Sequence, residues 1–401
     1  MTTVRISPSR VFAVLPLFAI ACSDGARTDI AGNEGSEIHA STSQAIGTNP
    51  LGVKTEEICF TVHNPGDPNP TSVTGTRFSQ RSFNAVKPNN RVILLSHGAV
   101  ETREIFDGGK AGIDVDSSFA RRLAKNGYMV VTIDRAGYGD SPYVRGPGAG
   151  FSLNFNSYVE MTHEIITQLH AGTYTKKVGS SCGTGPSVGL ASTSVILGGH
   201  SIGGGESMLY ATRYHDIDGL ISFAWNNTGA ASVPGGFFTN WIVPQLQQGK
   251  DYVTFFPPGA SGVSDACLLG FFSQPLAQTA VAPVVPAMEC ANANLGKSPS
   301  GELAGTPALR QANIAALGGV GPTPTLLTFA ELDTMVAGAN NPAGDPDHSG
   351  QEVALWQQSC NCDVSSYTQP TAGHAMFAHE TMPALVDNVV SWLHDRNLGP
   401  R

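Results

Sequence analysis

A serine, a histidine and an aspartate stand in this chain in an order and context suited to acyl transfer. The stretch Val195-Ile196-Leu197-Gly198-Gly199-His200-Ser201-Ile202-Gly203-Gly204 contains a G-x-S-x-G pentad centred on Ser201. An apolar run precedes it and a helix-compatible run follows. A nucleophile at that point sits on a tight strand-to-helix turn, where neighbouring side chains must be small, and Gly199 and Gly203 meet that demand. The following helix also turns its N terminus to the reacting group, which favours negative charge there. The competing reading is an ordinary Gly-rich turn in a chain with 46 glycines. The strand before and the helix after favour the nucleophile.

A serine hydroxyl needs a base, and the base needs an orienting carboxylate. His374, in Thr371-Ala372-Gly373-His374-Ala375, is the candidate base, because Gly373 leaves room for a buried imidazole; His379, five positions on, is the alternative. Asp333, shortly after Thr325-Leu326-Leu327-Thr328-Phe329, is the candidate acid, with Glu331 as the backup. A helix or turn cap is the plainer role for either carboxylate. An oxyanion requires two aimed N–H groups. Ile202 N–H, just after the nucleophile, is one candidate. Ala99 N–H in His97-Gly98-Ala99-Val100 is the other, with Val100 as its alternative.

These residues need a rigid scaffold, and the sequence supplies one. Glu57–Val62 and Arg77–Phe83 read as antiparallel strands joined by turn-rich sequence. Arg91–Ser96 and Tyr128–Ile133 are nearly continuous apolar runs, suited to central parallel strands. A helix from about Asp116, capped there or at Ser117, to Asn126 lies between them, with Gly127 as its stop. The alternation continues with a helix ending near Gly172, a Gly/Ser/Thr-rich excursion carrying Cys182, and strand Ser194–Leu197. A helix Ile202–Tyr214 and strand Gly219–Ala224 follow. Such alternation predicts an α/β fold with a mostly parallel sheet and helices on both faces. From 229 to 321 the periodicity lapses, which reads as a cap insertion packed over one end of the sheet. Strand Thr325–Phe329, a helix around Glu352–Gln357, strand Val364–Gln369 and a helix from Thr381 to about Arg396 resume the pattern. The expected organisation is a signal segment 1–22, a flexible tether 23–50, core segments 51–228 and 322–401, and the insertion 229–321.

Leu94-Leu95-Ser96-His97-Gly98-Ala99, Asp134-Arg135-Ala136-Gly137-Tyr138-Gly139-Asp140-Ser141, Gly199-His200-Ser201-Ile202-Gly203-Gly204, Glu331-Leu332-Asp333 and Gly373-His374 together resemble the ordered motifs of the α/β-hydrolase superfamily. The resemblance spans about Arg77 to Trp392. It implies an eight-stranded, mostly parallel sheet, a cap between the sixth strand and the acid, and an acyl-enzyme mechanism with the order Ser, Asp, His. Ala330 stands where such chains commonly carry Gly, and the excursion before Val195 has no counterpart in the pattern.

Composition limits the alternatives. Hydrophobic residues are 41% of the 401, charged residues 14%, and the net charge is −9, so the chain can bury a large core and lacks the basic footprint of a nucleic-acid binder. Arg5 and Arg10 precede a short apolar run, Val11–Ile20, followed by Ala19-Ile20-Ala21, which is the pattern of an export signal. The run is too short to span a bilayer, so no transmembrane helix is expected in the mature chain. Cys22 follows directly. Ala19-Ile20-Ala21-Cys22 resembles a bacterial lipobox, which would anchor the chain by a lipid; a soluble exported protein is the other reading. Export leaves Cys59, Cys182, Cys267, Cys290, Cys360 and Cys362 available for up to three disulfides. Cys267 and Cys290 are expected to staple the insertion, and Cys360 and Cys362 to bridge to other cysteines rather than to each other. Cys/His spacing does not suit zinc, and no cofactor is expected. Asp345, Asp347 and His348 suit a plain turn better than calcium. Asn226-Asn227-Thr228 matches a glycosylation sequon, and Trp225, Phe237, Phe238 and Trp241 are candidates for either a pocket or the core.

The expected activity is cleavage of a small-molecule carboxylic ester by Ser201, His374 and Asp333. Lactone, amide or thioester hydrolysis by the same residues remains open, and so does a non-catalytic surface binding protein on the same fold.

Overall fold

Strand residues with alternating or continuous apolar character pair into one nine-stranded sheet. The molecule is described by a computed structural model covering residues 52–80, 90–107, 118–141, 143, 146–182, 185, 187, 190–228, 242–254, 297–331, 333, 348–360 and 362–400. The strands are β1 (Lys54–His63), β2 (Pro70–Ser79), β3 (Asn90–Ser96), β4 (Met129–Ile133), β5 (Thr175–Lys176), β6 (Ser192–His200) and β7 (Gly219–Phe223), then β8 (Tyr252–Thr254), β9 (Lys297–Pro299), β10 (Thr325–Ala330) and β11 (Val364–Gln369). The sheet order is β11-β10-β7-β6-β3-β4-β2-β1-β5, and β8 and β9 form a separate two-stranded sheet. From β4 to β11 every neighbouring pair is parallel, while β2 is antiparallel to both β1 and β4. The two-residue β5 adds one strand to the expected eight.

The helices are α1 (Phe119–Lys125), α2 (Ala149–Ser152), α3 (Phe155–Ala171), α4 (Ile202–Tyr214), α5 (Val243–Gln247), α6 (Ser300–Ala316), α7 (His348–Ser359) and α8 (Met382–Asp395). Alternation along the strands sorts their side chains onto two cores. Ile93, Leu95, Ile196 and Ile221 pack with Phe119, Leu123, Val386 and Trp392 of α1 and α8. Val92, Leu94, Val195 and Leu197 pack with Ile165, Met208, Leu309 and Trp356 of α3, α4, α6 and α7. Each fully buried aliphatic side chain contributes about 1.5–3 kcal/mol to holding a helix on the sheet.

Several elements differ from expectation for local reasons. β2 begins at Pro70, inside the turn-rich stretch, because its register against β1 runs from His63↔Pro70 to Lys54↔Ser79. Proline is tolerated at a first strand position. The cap of α1 is Ser118, whose hydroxyl accepts Arg121 N–H at 3.1 Å; Asp116 and Ser117 lie outside the described residues. The excursion before Val195 is tied back to the sheet, since Cys182 is bonded to Cys59 of β1 and Thr175 pairs with Cys59. Cys360 and Cys362 are bonded to each other, against the expectation that each bridges elsewhere. The turn from α7 into β11 brings their Cα atoms to 5.3 Å, within disulfide range. Cys267 and Cys290 lie outside the described residues.

Within the aperiodic stretch, α6 is the main surprise. It carries Pro307 in its interior together with Gly301 and Gly305, three residues that lower helix propensity. Tertiary packing overrides that weakness: Leu309 is fully buried, and Asn313 donates to Gly205 O on α4 at 3.0 Å. Residues 229–241 and 255–296 of the proposed insertion lie outside the description, as do Asp345 and Asp347. Among the described residues, no group of His, Cys, Asp or Glu could hold a metal ion, and no helix is long and apolar enough to cross a membrane.

Candidate active site

The candidate residues converge at the C-terminal edge of the parallel strands, where open α/β sheets place their ligands. Ser201 follows β6, Asp333 follows β10, His374 follows β11, and the His97–Glu101 loop follows β3. Ser201 has φ 53° and ψ −126°, outside the regions an L-residue ordinarily occupies. Holding a non-glycine residue there costs about 1–3 kcal/mol and lifts its side chain clear of the turn. The flanking glycines make the turn sterically feasible. A Cβ on Gly199 would run into the Gly203 carbonyl, and one on Gly203 into the carbonyl of His97.

His374 Nε2 lies 2.9 Å from Ser201 Oγ, and His374 Nδ1 lies 2.8 Å from Asp333 Oδ2. Asp333 and His374 are buried, each 4% exposed, so the Asp333 charge acts on the imidazole with little screening by water. Burial by itself lowers the His374 pKa. The adjoining Asp333 charge and hydrogen bond, with a further contribution from Glu101, outweigh burial and raise it above the ordinary value.

The two alternatives do other work. His379 Nε2 accepts Gly373 N–H at 2.9 Å, and burial pulls its pKa down to about 4. Glu331 accepts Thr371 N–H at 2.7 Å. Both therefore fasten the loop that carries His374.

The loop after β3 is held from several sides. His97 Nε2 accepts Arg135 N–H at 3.1 Å while Nδ1 donates to Gly98 O at 2.7 Å, and burial drives the His97 pKa well down. Arg135 also donates to Gly98 O at 2.9 Å and to Glu206 at 2.7 Å, and it is paired with Glu302 of α6. Val100 has φ 60°, and its N–H donates to Ser298 Oγ of β9 at 2.9 Å. Val100 is thus committed elsewhere. Ala99 N–H has no protein acceptor among the described residues, and Ile202 N–H is in the first turn of α4, where N–H groups lack intrahelical acceptors.

Sequence reasoning missed Arg135, Ser298, Glu302 and Glu101. Arg135 lay inside a quoted motif, yet only the fold shows that its buried charge serves the loop after β3. Its neighbour Asp134 instead binds the buried guanidinium of Arg103 and the N–H of Asp140. Trp225 belongs to the core: it is buried against α4, and its indole N–H donates to Asn227 Oδ1 at 2.8 Å. Phe237, Phe238 and Trp241 lie outside the described residues. The sequon asparagine, Asn226, is buried, and its side-chain carbonyl accepts both Thr228 N–H and Thr228 O–H.

The strand order, the elbow after β6 and the loops after β3, β10 and β11 are those of the α/β-hydrolase fold. Residues 87–248 match a family model described as serine aminopeptidase, S33. Among solved structures, a bromoperoxidase from Bacillus anthracis superposes with a TM-score of 0.52 at 16% identity, covering 84% of this chain and 100% of that one. The α/β hydrolase GrgF from Penicillium sp. sh18 gives 0.51 at 12% identity, over 85% and 98%. A monoacylglycerol lipase from Paleococcus ferrophilus gives 0.50 at 16% identity, over 77% and 96%. No curated protein sequence matches the chain.

Proposed function

We propose that this chain is a serine hydrolase that cleaves a small-molecule carboxylic ester through an acyl-enzyme, with Ser201, His374 and Asp333 as its triad. The observation that carries the reading is the continuous line from Asp333 Oδ2 through the His374 ring to Ser201 Oγ, with steps of 2.8 and 2.9 Å. In that arrangement His374 Nε2 takes the hydroxyl proton as Ser201 Oγ attacks the substrate carbonyl. Asp333 fixes the tautomer with hydrogen on Nδ1 and stabilises the imidazolium that forms. Ala99 N–H and Ile202 N–H receive the oxyanion, and the first turn of α4 adds its partial positive charge. His374 then returns the proton to the departing alcohol. Water, activated by the same imidazole, opens the acyl-enzyme and releases the acid.

Lactone, amide or thioester cleavage is the alternative reading, since the same three residues serve all four substrate classes. Export and a lipid anchor at Cys22 belong to the same proposal, on the strength of Arg5, Arg10 and Ala19-Ile20-Ala21-Cys22.

The test is labelling of the folded protein by a fluorophosphonate, with the modified peptide located by mass spectrometry. Labelling at Ser201, abolished in Ser201→Ala at an unchanged melting temperature, is expected. A folded protein that takes no label would refute the triad and leave the non-catalytic binding reading in its place.

A further inference from the structure

Behind the nucleophile lies a second buried acid–imidazole pair that the acyl-transfer steps do not use. Glu101, at the end of the loop after β3, is 2% exposed, and His200, at the end of β6, is fully buried. Glu101 Oε2 lies 2.8 Å from His200 Nδ1 and accepts Gly98 N–H at 2.6 Å. His200 Nε2 lies 2.8 Å from the carbonyl oxygen of His374. The His200 and His374 rings sit 4.9 Å apart, tilted by 48°.

The hydrogen-bond inventory defines the chemistry. A carbonyl oxygen only accepts, so His200 Nε2 must carry hydrogen and donate to His374 O. Nδ1 then needs a proton on the line to Glu101 as well, and a carboxyl group is the partner that allows one there. An amide at position 101 could supply that proton only by turning its NH2 to Nδ1, and the NH2 would then face Gly98 N–H, which needs an acceptor there. In a Glu101→Gln variant whose amide presents its oxygen, a neutral His200 has one hydrogen to share between two acceptors. It must abandon either position 101 or the His374 carbonyl.

We propose that Glu101 and His200 are positioning residues, which together fix the backbone of the general base and the register of the oxyanion loop against Ser201. One carboxylate oxygen grips the oxyanion loop through Gly98 N–H, and through His200 the same carboxylate grips the loop that carries His374. Two elements from opposite flanks of the nucleophile are thereby indexed to a single atom. This inference rests on the serine-hydrolase reading of the site.

Glu101 also acts on His374 through its charge, in the direction that keeps the imidazole protonated to higher pH. The charged and titratable groups facing the His374 ring are Asp333 from the loop after β10, Glu101 from the loop after β3 and His200 from β6. On the ring's own loop, His379 senses the Asp333 charge. Taking the negative charge from position 101 therefore lowers the His374 pKa.

The test compares wild type with Glu101→Gln, measuring fluorophosphonate labelling rate and ester kcat and KM across pH. Labelling of wild type at Ser201 comes first; its absence overturns the hydrolase reading itself, and this inference falls with it. Given a labelled wild type, Glu101→Gln is expected to label about 10- to 100-fold more slowly, from misplacement of the base by a fraction of an ångström to about one ångström. KM should change little, and the acid limb of the profile should move to lower pH. Equal rates and an unmoved limb overturn the inference. So does a slower rate with an unmoved limb and a lowered melting temperature, the signature of a purely structural role. If Glu101→Gln does not fold, proton NMR of wild type decides: a low-field resonance from the His200–Glu101 line, beside that of His374–Asp333, is expected, and its absence overturns the assignment.

Discussion

Under the proposed mechanism, replacing Gly98 by alanine puts one methyl group between the loop offered as the oxyanion site and the attacking Ser201. A Cβ at that position would lie 2.7 Å from Glu101 Oε2 and 2.8 Å from Ser201 Cβ. Ordinary contacts begin at about 3.3 Å for carbon–oxygen and about 3.7 Å for carbon–carbon, so relief needs a displacement of roughly 0.6–0.9 Å. Gly98 does not have a positive φ, so the effect is steric and not a matter of backbone strain. Neither neighbour yields easily: Ser201 is fixed by its turn, and Glu101 by two hydrogen bonds. A shift approaching 1 Å in the reacting geometry lowers kcat/KM about 100-fold. The overpacking itself costs about 1–3 kcal/mol. With about 2.1 cal/mol/K of unfolding entropy per residue, that corresponds to a fall in melting temperature of only about 1–4 °C. The assay pairs the second-order rate of fluorophosphonate labelling with a thermal melt. Gly146→Ala serves as the control, because a Cβ there meets nothing within 4 Å. A Gly98→Ala protein that labels within threefold of wild type would show that the loop and Ser201 have more freedom than their packing implies, and the steric account would fall.

Asp333→Asn should lower kcat by about 10⁴-fold with KM little changed, because the imidazole loses the partner that sets its tautomer. The acid limb of any residual activity should move to lower pH, since Asp333 holds the His374 pKa up; steady-state profiles check both. His379 makes a contribution of opposite sign. Its folded pKa is depressed to about 4 from 6.5, so the unfolded chain binds more protons in that window, and stability falls as pH drops through it. The loss is of the order of 3 kcal/mol by pH 4, and urea titrations of wild type and His379→Gln should show a flatter dependence in the variant. Removing the Cys59–Cys182 bond, which closes a separation of 123 residues, should lower the unfolding free energy by about 2–5 kcal/mol in a Cys59→Ala/Cys182→Ala denaturation curve.

The elements that could be read from sequence were those whose local signal and tertiary role agree. Helix α4 runs over Ile202–Tyr214 and β11 over Val364–Gln369, the ranges expected from the sequence. The structure brings Ser201, His374 and Asp333 within hydrogen-bond distance, and a serine turn, a Gly-His loop and a post-strand carboxylate each leave a local trace in the sequence. Helix α6 left none: Pro307 and two glycines mask it, and packing on α4 supplies what propensity lacks. Arg135, Glu206 and Glu302 meet across sequence separations that no local pattern reveals. The bond between Cys360 and Cys362 joins residues two apart, a pairing that spacing alone does not specify.

The β8–β9 pairing has a consequence for how this protein can vary. Thr254 and Lys297 are paired directly across that small sheet, so residues 255–296 leave and re-enter the fold at adjacent points. The free energy of closing such a stretch grows slowly, by about 0.6 kcal/mol for each doubling of length. On that ground, joining Thr254 to Lys297 sets little entropic demand on the length of the chain between them. Immediately downstream, Ser298 holds Val100 and Glu302 holds Arg135. The β8–β9 junction thus lies within a few residues of the contacts that fix the loop after β3.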